Sequence, residues 1–221
     1  DWGVKSIVRA DPIIMPPTSD AMTIPVFFIA VGVYLIQPFE LQSPRQIVTF
    51  GNMIPDPCTT VAFTGHRTYC GEASAALAAA IRGLHAHGFR TFLCGMAVGF
   101  DLAAAEAVLE LRERAPGVRL VAAVPFRGQE MRFSPADRER FRRVLAEADS
   151  VEVLAPAYHR GCYAVRNDFL VYNARVLVAW YDGSPGGTRY TVRRALGRGL
   201  EVVNLCPAAP VPPAPEPTLF G

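Results

Sequence analysis

Gly186, Gly187 and Thr188 form the stretch with the clearest chemistry. Five apolar residues, Val176 to Trp180, precede them, and a basic helical pattern carrying Arg189, Arg193, Arg194 and Arg198 follows. An apolar run of this kind predicts a strand buried on both faces of a parallel sheet. Asp182, Gly183 and Pro185 stop it. A helix that opens at the two glycines points its unpaired amides and the positive end of its dipole into the turn, and no side chain stands over the glycines to block an anion. The chemistry expected is therefore a phosphate seat. A plain turn between strand and helix is the alternative reading of so short a motif.

Four further polar clusters accompany it. Thr64-Gly65-His66-Arg67 offers a cation for charge neutralisation. Gly95 to Asp101 supplies a second glycine-bearing turn. Phe126 with Gln129 and Glu130 combines an aromatic with a carboxylate that partial desolvation would suit to acid–base work. Tyr158 offers a ring for base stacking, upstream of Arg166-Asn167. Each has a plainer reading: Asp101 as a helix cap, His66 as a surface histidine, Arg166 as the partner of a carboxylate, Glu130 as a solvated loop residue. His66 and Cys70 are four apart, but no second ligand pair accompanies them, so no metal is expected.

The elements that must position these groups alternate from Thr59 onward. Strands are expected at Thr59–Phe63, Thr91–Cys94, Val118–Val124, Val151–Leu154, Val176–Trp180 and Glu201–Leu205. Helices are expected between them over Glu72–His87, Leu102–Arg114, the segment from Ser134 to Ala148, Ala164–Ala174 and Thr188–Leu196. Ser134-Pro135-Ala136-Asp137 has the form of a helix start. The alternation implies an α/β, doubly wound, mainly parallel sheet with helices on both faces. Every polar cluster then falls at the carboxyl ends of the strands, where such sheets bind ligands.

The chain has 221 residues, 51% of them hydrophobic, enough for one α/β domain with tails. A net charge of +2 is mild, too mild to argue for nucleic acid as the main partner, so no strong nucleic-acid signal is read. Five cysteines without a C-x-x-C pair fit reduced thiols and a cytoplasmic setting. Residues 1–57 are proline-rich and read as an extension, with Met53 an alternative start. Their apolar run, Ile24 to Ile36, falls short of the roughly 20 residues that span a bilayer, so a hairpin or strand on the domain ranks ahead of a membrane anchor. Residues 208–221 read as an extended proline-rich tail.

The motifs TGHR, GMAVGFD, PFRGQE, Y-H-R with the downstream Arg166-Asn167, and YDGSPGGTRY resemble the SLOG superfamily, which includes the Smf/DprA proteins and the LOG phosphoribohydrolases. Within it the sequence is most similar to the YpsA-like branch, whose function is unknown. The resemblance covers about Thr59 to Pro207 and implies a Rossmann-like domain over 58–207. It implies a nucleotide-derived ligand of the ADP-ribose, NAD or nucleoside monophosphate class, with no further cofactor. The site it implies is lined by Gly65, His66 and Arg67, by Gly95, Gly99 and Asp101, by Gln129 and Glu130, by Arg166 and Asn167, and by Gly186, Gly187 and Thr188. Thr64, Phe126, Tyr158, Asp182 and Tyr190 join them from the same motifs. Homo-oligomer formation rests on the resemblance alone. The LOG pattern carries a glutamate after its glycines; here no carboxylate follows until Glu201. The expectation is therefore a binding or sensing protein, with a hydrolase or transferase acting on an N-glycosidic or ribosyl bond, supported by Glu130 or Asp101, as the alternative.

Overall fold

The computed structural model describes residues 56–207; the expectations for residues 1–55 and 208–221 lie outside the described residues. Six strands form one sheet: β1 (Thr60–Gly65), β2 (Thr91–Cys94), β3 (Arg119–Val124), β4 (Ser150–Val153), β5 (Val176–Trp180) and β6 (Glu201–Asn204). Their order is β4-β3-β2-β1-β5-β6, and every neighbouring pair is parallel. The sheet is thus wholly rather than mainly parallel.

Five helices cover it: α1 (Ser74–Ala86), α2 (Phe100–Arg112), α3 (Pro135–Glu147), α4 (Cys162–Tyr172) and α5 (Gly187–Gly197). Alternation along the strands explains how two faces are filled. Val61 and Phe63 of β1, with Phe92 and Cys94 of β2, pack with Leu77, Phe100 and Phe141 from α1, α2 and α3. Ala62 and Leu93, one residue out of phase, pack with Leu170 of α4 and Val192 of α5. Helices α1 to α3 therefore cover one face and α4 and α5 the other.

Local signals set the helix starts. Ser134 Oγ accepts the Asp137 amide at 3.1 Å, with Pro135 in the first turn, as the sequence predicts for α3. Helix α1 begins two residues later than expected, because Glu72 instead accepts the Cys70 amide at 2.7 Å in the preceding turn. A short 3-10 turn at Gln129–Arg132 follows Gly128, which sits at φ 83°. No helix among the described residues is long and apolar enough to cross a membrane.

Gly65 ends β1 against the start of α2. A Cβ there would meet the fully buried Phe100 side chain well inside 3.0 Å. Gly65→Ala is accordingly expected to lower stability by about 2 kcal/mol, or roughly 4–8 °C in a thermal melt.

Candidate functional site

The strand order reverses between β1 and β5. Their following loops lead to helices on opposite faces, and the crevice between them is where open α/β sheets hold ligands. A cleft of about 570 Å³ lies there, within the roughly 300–1,000 Å³ range of small-molecule sites. The end of β1 and its loop contribute Thr64, Gly65, His66, Arg67 and Thr68 to its wall. The β2–α2 turn adds Ala97 and Asp101, α4 adds Tyr163, Arg166 and Asn167, and the β5–α5 segment adds Asp182, Ser184, Gly187 and Thr188.

The α5 end of the cleft has the form expected of an anion seat. The first intrahelical bond of α5 runs from the Tyr190 amide to the Gly186 carbonyl at 3.0 Å. The amides of Gly187, Thr188 and Arg189 precede it and make no bond within the helix. Gly186 holds φ 142°, a conformation that favours glycine, and nothing stands within 4 Å of where its Cβ would be. Beside Gly187 the nearest group is the Asn167 amide at 3.7 Å.

The other glycines differ. A Cβ on Gly95 would strike the Arg166 guanidinium, and one on Gly99 would come within 2.6 Å of the His66 and Arg67 carbonyl oxygens. These positions are small so that chain segments can pack together, and neither lines the cleft.

Asp101 and Arg166 form a buried pair in the wall. Asp101 is the second residue of α2, not its cap; Gly99 holds that place without a side-chain bond. Its Oδ2 accepts the Ala97 amide at 3.3 Å and Arg166 Nη1 at 3.2 Å. Arg166 also donates to the Gly95 carbonyl. From α4 on one face, Arg166 thus reaches over the carboxyl edge to a loop that serves the other face. The pair is 3% and 6% exposed, yet Asp101 Oδ1 and Arg166 Nε have no hydrogen-bond partner among the described residues. Burial pushes the Asp101 carboxyl up from its ordinary range, with the Arg166 charge opposing.

At the rim, His66 Nε2 lies 2.8 Å from Asp182 Oδ1 and 3.3 Å from the Asp182 amide. One ring nitrogen cannot both donate and accept, and the shorter contact makes it the donor to the carboxylate. Hydrogen bonds from Ser184, then the His66 charge, hold the Asp182 carboxyl below its usual range. This contact ties the β1 and β5 loops together across the crevice.

Gly95, Gly99, Phe126, Gln129, Glu130, Tyr158, Gly186 and Tyr190 are not among the residues that wall the cleft. Gln129 is buried and donates to the Met96 carbonyl, which anchors the 3-10 turn to the β2 loop. Phe126 is also buried, with the edges of Tyr158 and Tyr163 packed at 5.4 and 5.7 Å, so its ring is not free to stack. Tyr190 turns outward, and its hydroxyl donates to Asp168 at 2.9 Å. Sequence reasoning missed Thr68, Ala97, Tyr163 and Ser184. Helical spacing carried a signal for Tyr163, since residues three and four before Arg166 and Asn167 share their face. Its ring receives the Arg67 guanidinium at 5.5 Å.

Comparison with known proteins follows from this geometry. A UPF0398 protein of Shouchella clausii is 38% identical over 94 residues, 41% of this chain and 50% of that protein. One from Halalkalibacterium halodurans is 31% identical over 114 residues, 50% of this chain and 60% of that protein. The matches thus span only half to three-fifths of the relatives' lengths. Among solved structures, DNA processing protein A from Helicobacter pylori superposes with a TM-score of 0.52 at 16% identity, covering 67% of this chain and 65% of that one. That protein is described as having a unique single-stranded DNA binding mode. The expectation of no strong nucleic-acid signal, drawn from the mild net charge, is corrected by that neighbour, a protein of the same fold described by its single-stranded DNA binding. A net charge of +2 averages 22 cations against 20 anions and conceals where they cluster. The sequence model of the YspA SLOG family matches residues 62–199, the span that holds the whole cleft. The chain belongs to the YspA SLOG family.

Proposed function

We propose that the cleft between β1 and β5 binds a phosphate-bearing nucleotide derivative and that the protein senses or presents this ligand without cleaving it. The observation that carries the reading is the unmet bonding capacity of Asp101 and Arg166, two buried side chains in the wall of a cleft that also holds the open start of α5. A buried polar atom without a partner is costly, and a ligand that draws these two wall side chains toward it would satisfy them. The α5 amides and Arg166 supply donors for a phosphate; Asp101 Oδ1 supplies an acceptor for a sugar hydroxyl. Arg67 and Tyr163 offer charge and a ring beside them.

Binding is favoured over hydrolysis by the carboxylates. Glu130 lies off the cleft wall, Asp101 is engaged by Arg166, and Asp182 is engaged by His66 and Ser184. None of the three stands in the cleft as a carboxylate without a charged or hydrogen-bonding partner. A second reading, in which the nucleotide belongs to a single strand, draws support from the rings that continue outward from the wall: Tyr163 and the exposed Tyr158 lie 6.4 Å apart between centroids.

Thermal shift of the full chain against ADP-ribose, NAD, AMP, ATP and a short oligothymidylate tests both. A ligand at 100 times its dissociation constant adds about 2.7 kcal/mol, a rise of roughly 5–10 °C. A shift with a mononucleotide or dinucleotide unchanged in composition afterwards supports the binding reading. A shift followed by release of free base establishes the hydrolase instead, and no shift with any compound removes the cleft as a nucleotide site.

A further inference from the structure

Helix α5 carries a second feature that the cleft does not use. Its exposure repeats in pairs: Thr188, Thr191, Val192 and Ala195 are buried, while Arg189, Tyr190, Arg193 and Arg194 face solvent, as does Arg198 beyond the last turn. Between Gly183 and Leu200 the sequence has no acidic residue. The outward half of the helix borders a groove of about 500 Å³ that meets the cleft at the Gly186-Gly187 turn.

Ordinary helix chemistry explains only part of this charge. Cations near a helix carboxyl end complement its dipole, which accounts for Arg194 and Arg198. Arg194 also contacts Asp168 at 3.0 Å. Arg189 stands in the first turn, where the dipole disfavours a cation, and neither it nor Arg193 has an acidic partner among the described residues. Beside them Tyr172 of α4 and Tyr190 are 46% and 40% exposed, and the Arg198 guanidinium lies 4.0 Å from the Tyr172 ring centroid.

We propose that the outward face of α5, with Tyr172 of α4, binds the phosphate backbone of a single-stranded nucleic acid. Arginines interleaved with exposed rings match such a strand: guanidinium groups fork onto phosphates, and the exposed ring of Tyr190, with the part of Tyr172 that Arg198 does not cover, stacks on unpaired bases. A duplex hides its base faces from those rings. The charge also excludes a like-charged second copy of this face, since its arginines would meet each other.

Fluorescence anisotropy of the full chain with a labelled single-stranded 20-mer provides the test. Arg189→Gln with Arg193→Gln should weaken binding at least about tenfold and make the salt dependence shallower by about 1.4 in log–log slope. Removal of a cation from the first turn does not weaken the helix, so an unchanged melting temperature in the double variant separates lost contacts from lost folding. Tyr172→Leu should cost about tenfold on single strands. Retained affinity in the arginine variant overturns the proposal. Tighter binding to a duplex, or to phosphatidylserine vesicles, than to the single strand overturns the choice of partner. A change of oligomeric state without a change in strand affinity identifies the face as a contact between copies.

Discussion

Arg166→Ala is expected to lower the thermal midpoint by about 6–12 °C at neutral pH, corresponding to roughly 3 kcal/mol. The cause is not the pair's intrinsic strength, because a buried ion pair repays little more than its desolvation. Removal of one partner leaves the other charge buried, and here it also frees the Gly95 carbonyl and opens a gap between α4 and the β2 loop. The pH dependence has a definite sign. Burial would then act on Asp101 against only the Ala97 and Gly65 amides and the Arg67 charge, and would raise its carboxyl further above its unfolded value. A group raised on folding contributes stability that is present below its unfolded pKa, about 3.9, and lost as pH rises through the folded value. The penalty of Arg166→Ala should therefore be smaller at pH 5 than at pH 8. Denaturant unfolding at both values measures this. A loss under about 1 kcal/mol at pH 8, or one that shrinks as pH rises, would contradict the buried pair described here.

Gly187→Asp should abolish ligand-induced stabilisation while leaving the unliganded protein as stable as before or slightly more so. The position tolerates a side chain, since the nearest neighbour of a new Cβ is 3.7 Å away. A carboxylate in the first turn also complements the helix dipole by about 0.3–1 kcal/mol. That same carboxylate occupies the anion seat and repels a phosphate. Loss of a nucleotide-induced shift of several degrees without loss of the basal midpoint is the expected pattern, read in one melting series with and without ligand. An undiminished shift in the variant would place the phosphate elsewhere.

Much of the scaffold was legible in the sequence because its signals are local. Val176 to Trp180 is a strand with the bounds its apolar run suggests, and Ser134-Pro135 opens α3 as its side chains require. The alternation of strands and helices was enough to imply a sheet wound on both faces, and that topology put the glycine turn and the TGHR segment on one edge. What local signals do not carry is which glycine is open. Gly95 and Gly99 resemble Gly187 in type and context, yet Arg166, 71 residues from Gly95, fills the space beside one. Backbone oxygens of the β1 loop fill the space beside the other. Asp101 could be read as a cap as well as a site residue, because its partner is 65 residues away. Gln129 and Glu130 diverge for a conformational reason: the 3-10 turn after Gly128 sends one side chain inward to Met96 and leaves the other off the cleft. The net charge carried little for a similar reason, as a sum over the chain says nothing of where its arginines lie, although their run along α5 is plain in the sequence.

On the proposed function, the start of α5 and the buried Asp101–Arg166 pair together hold a phosphate and its sugar. A crystal structure of the full chain grown with ADP-ribose decides whether they do. Phosphate oxygens are expected within about 3 Å of the Gly187 and Thr188 amide nitrogens, with a ribose hydroxyl against Asp101. A phosphate bound instead along the outward face of α5, or an empty cleft at saturating ligand, would contradict that function.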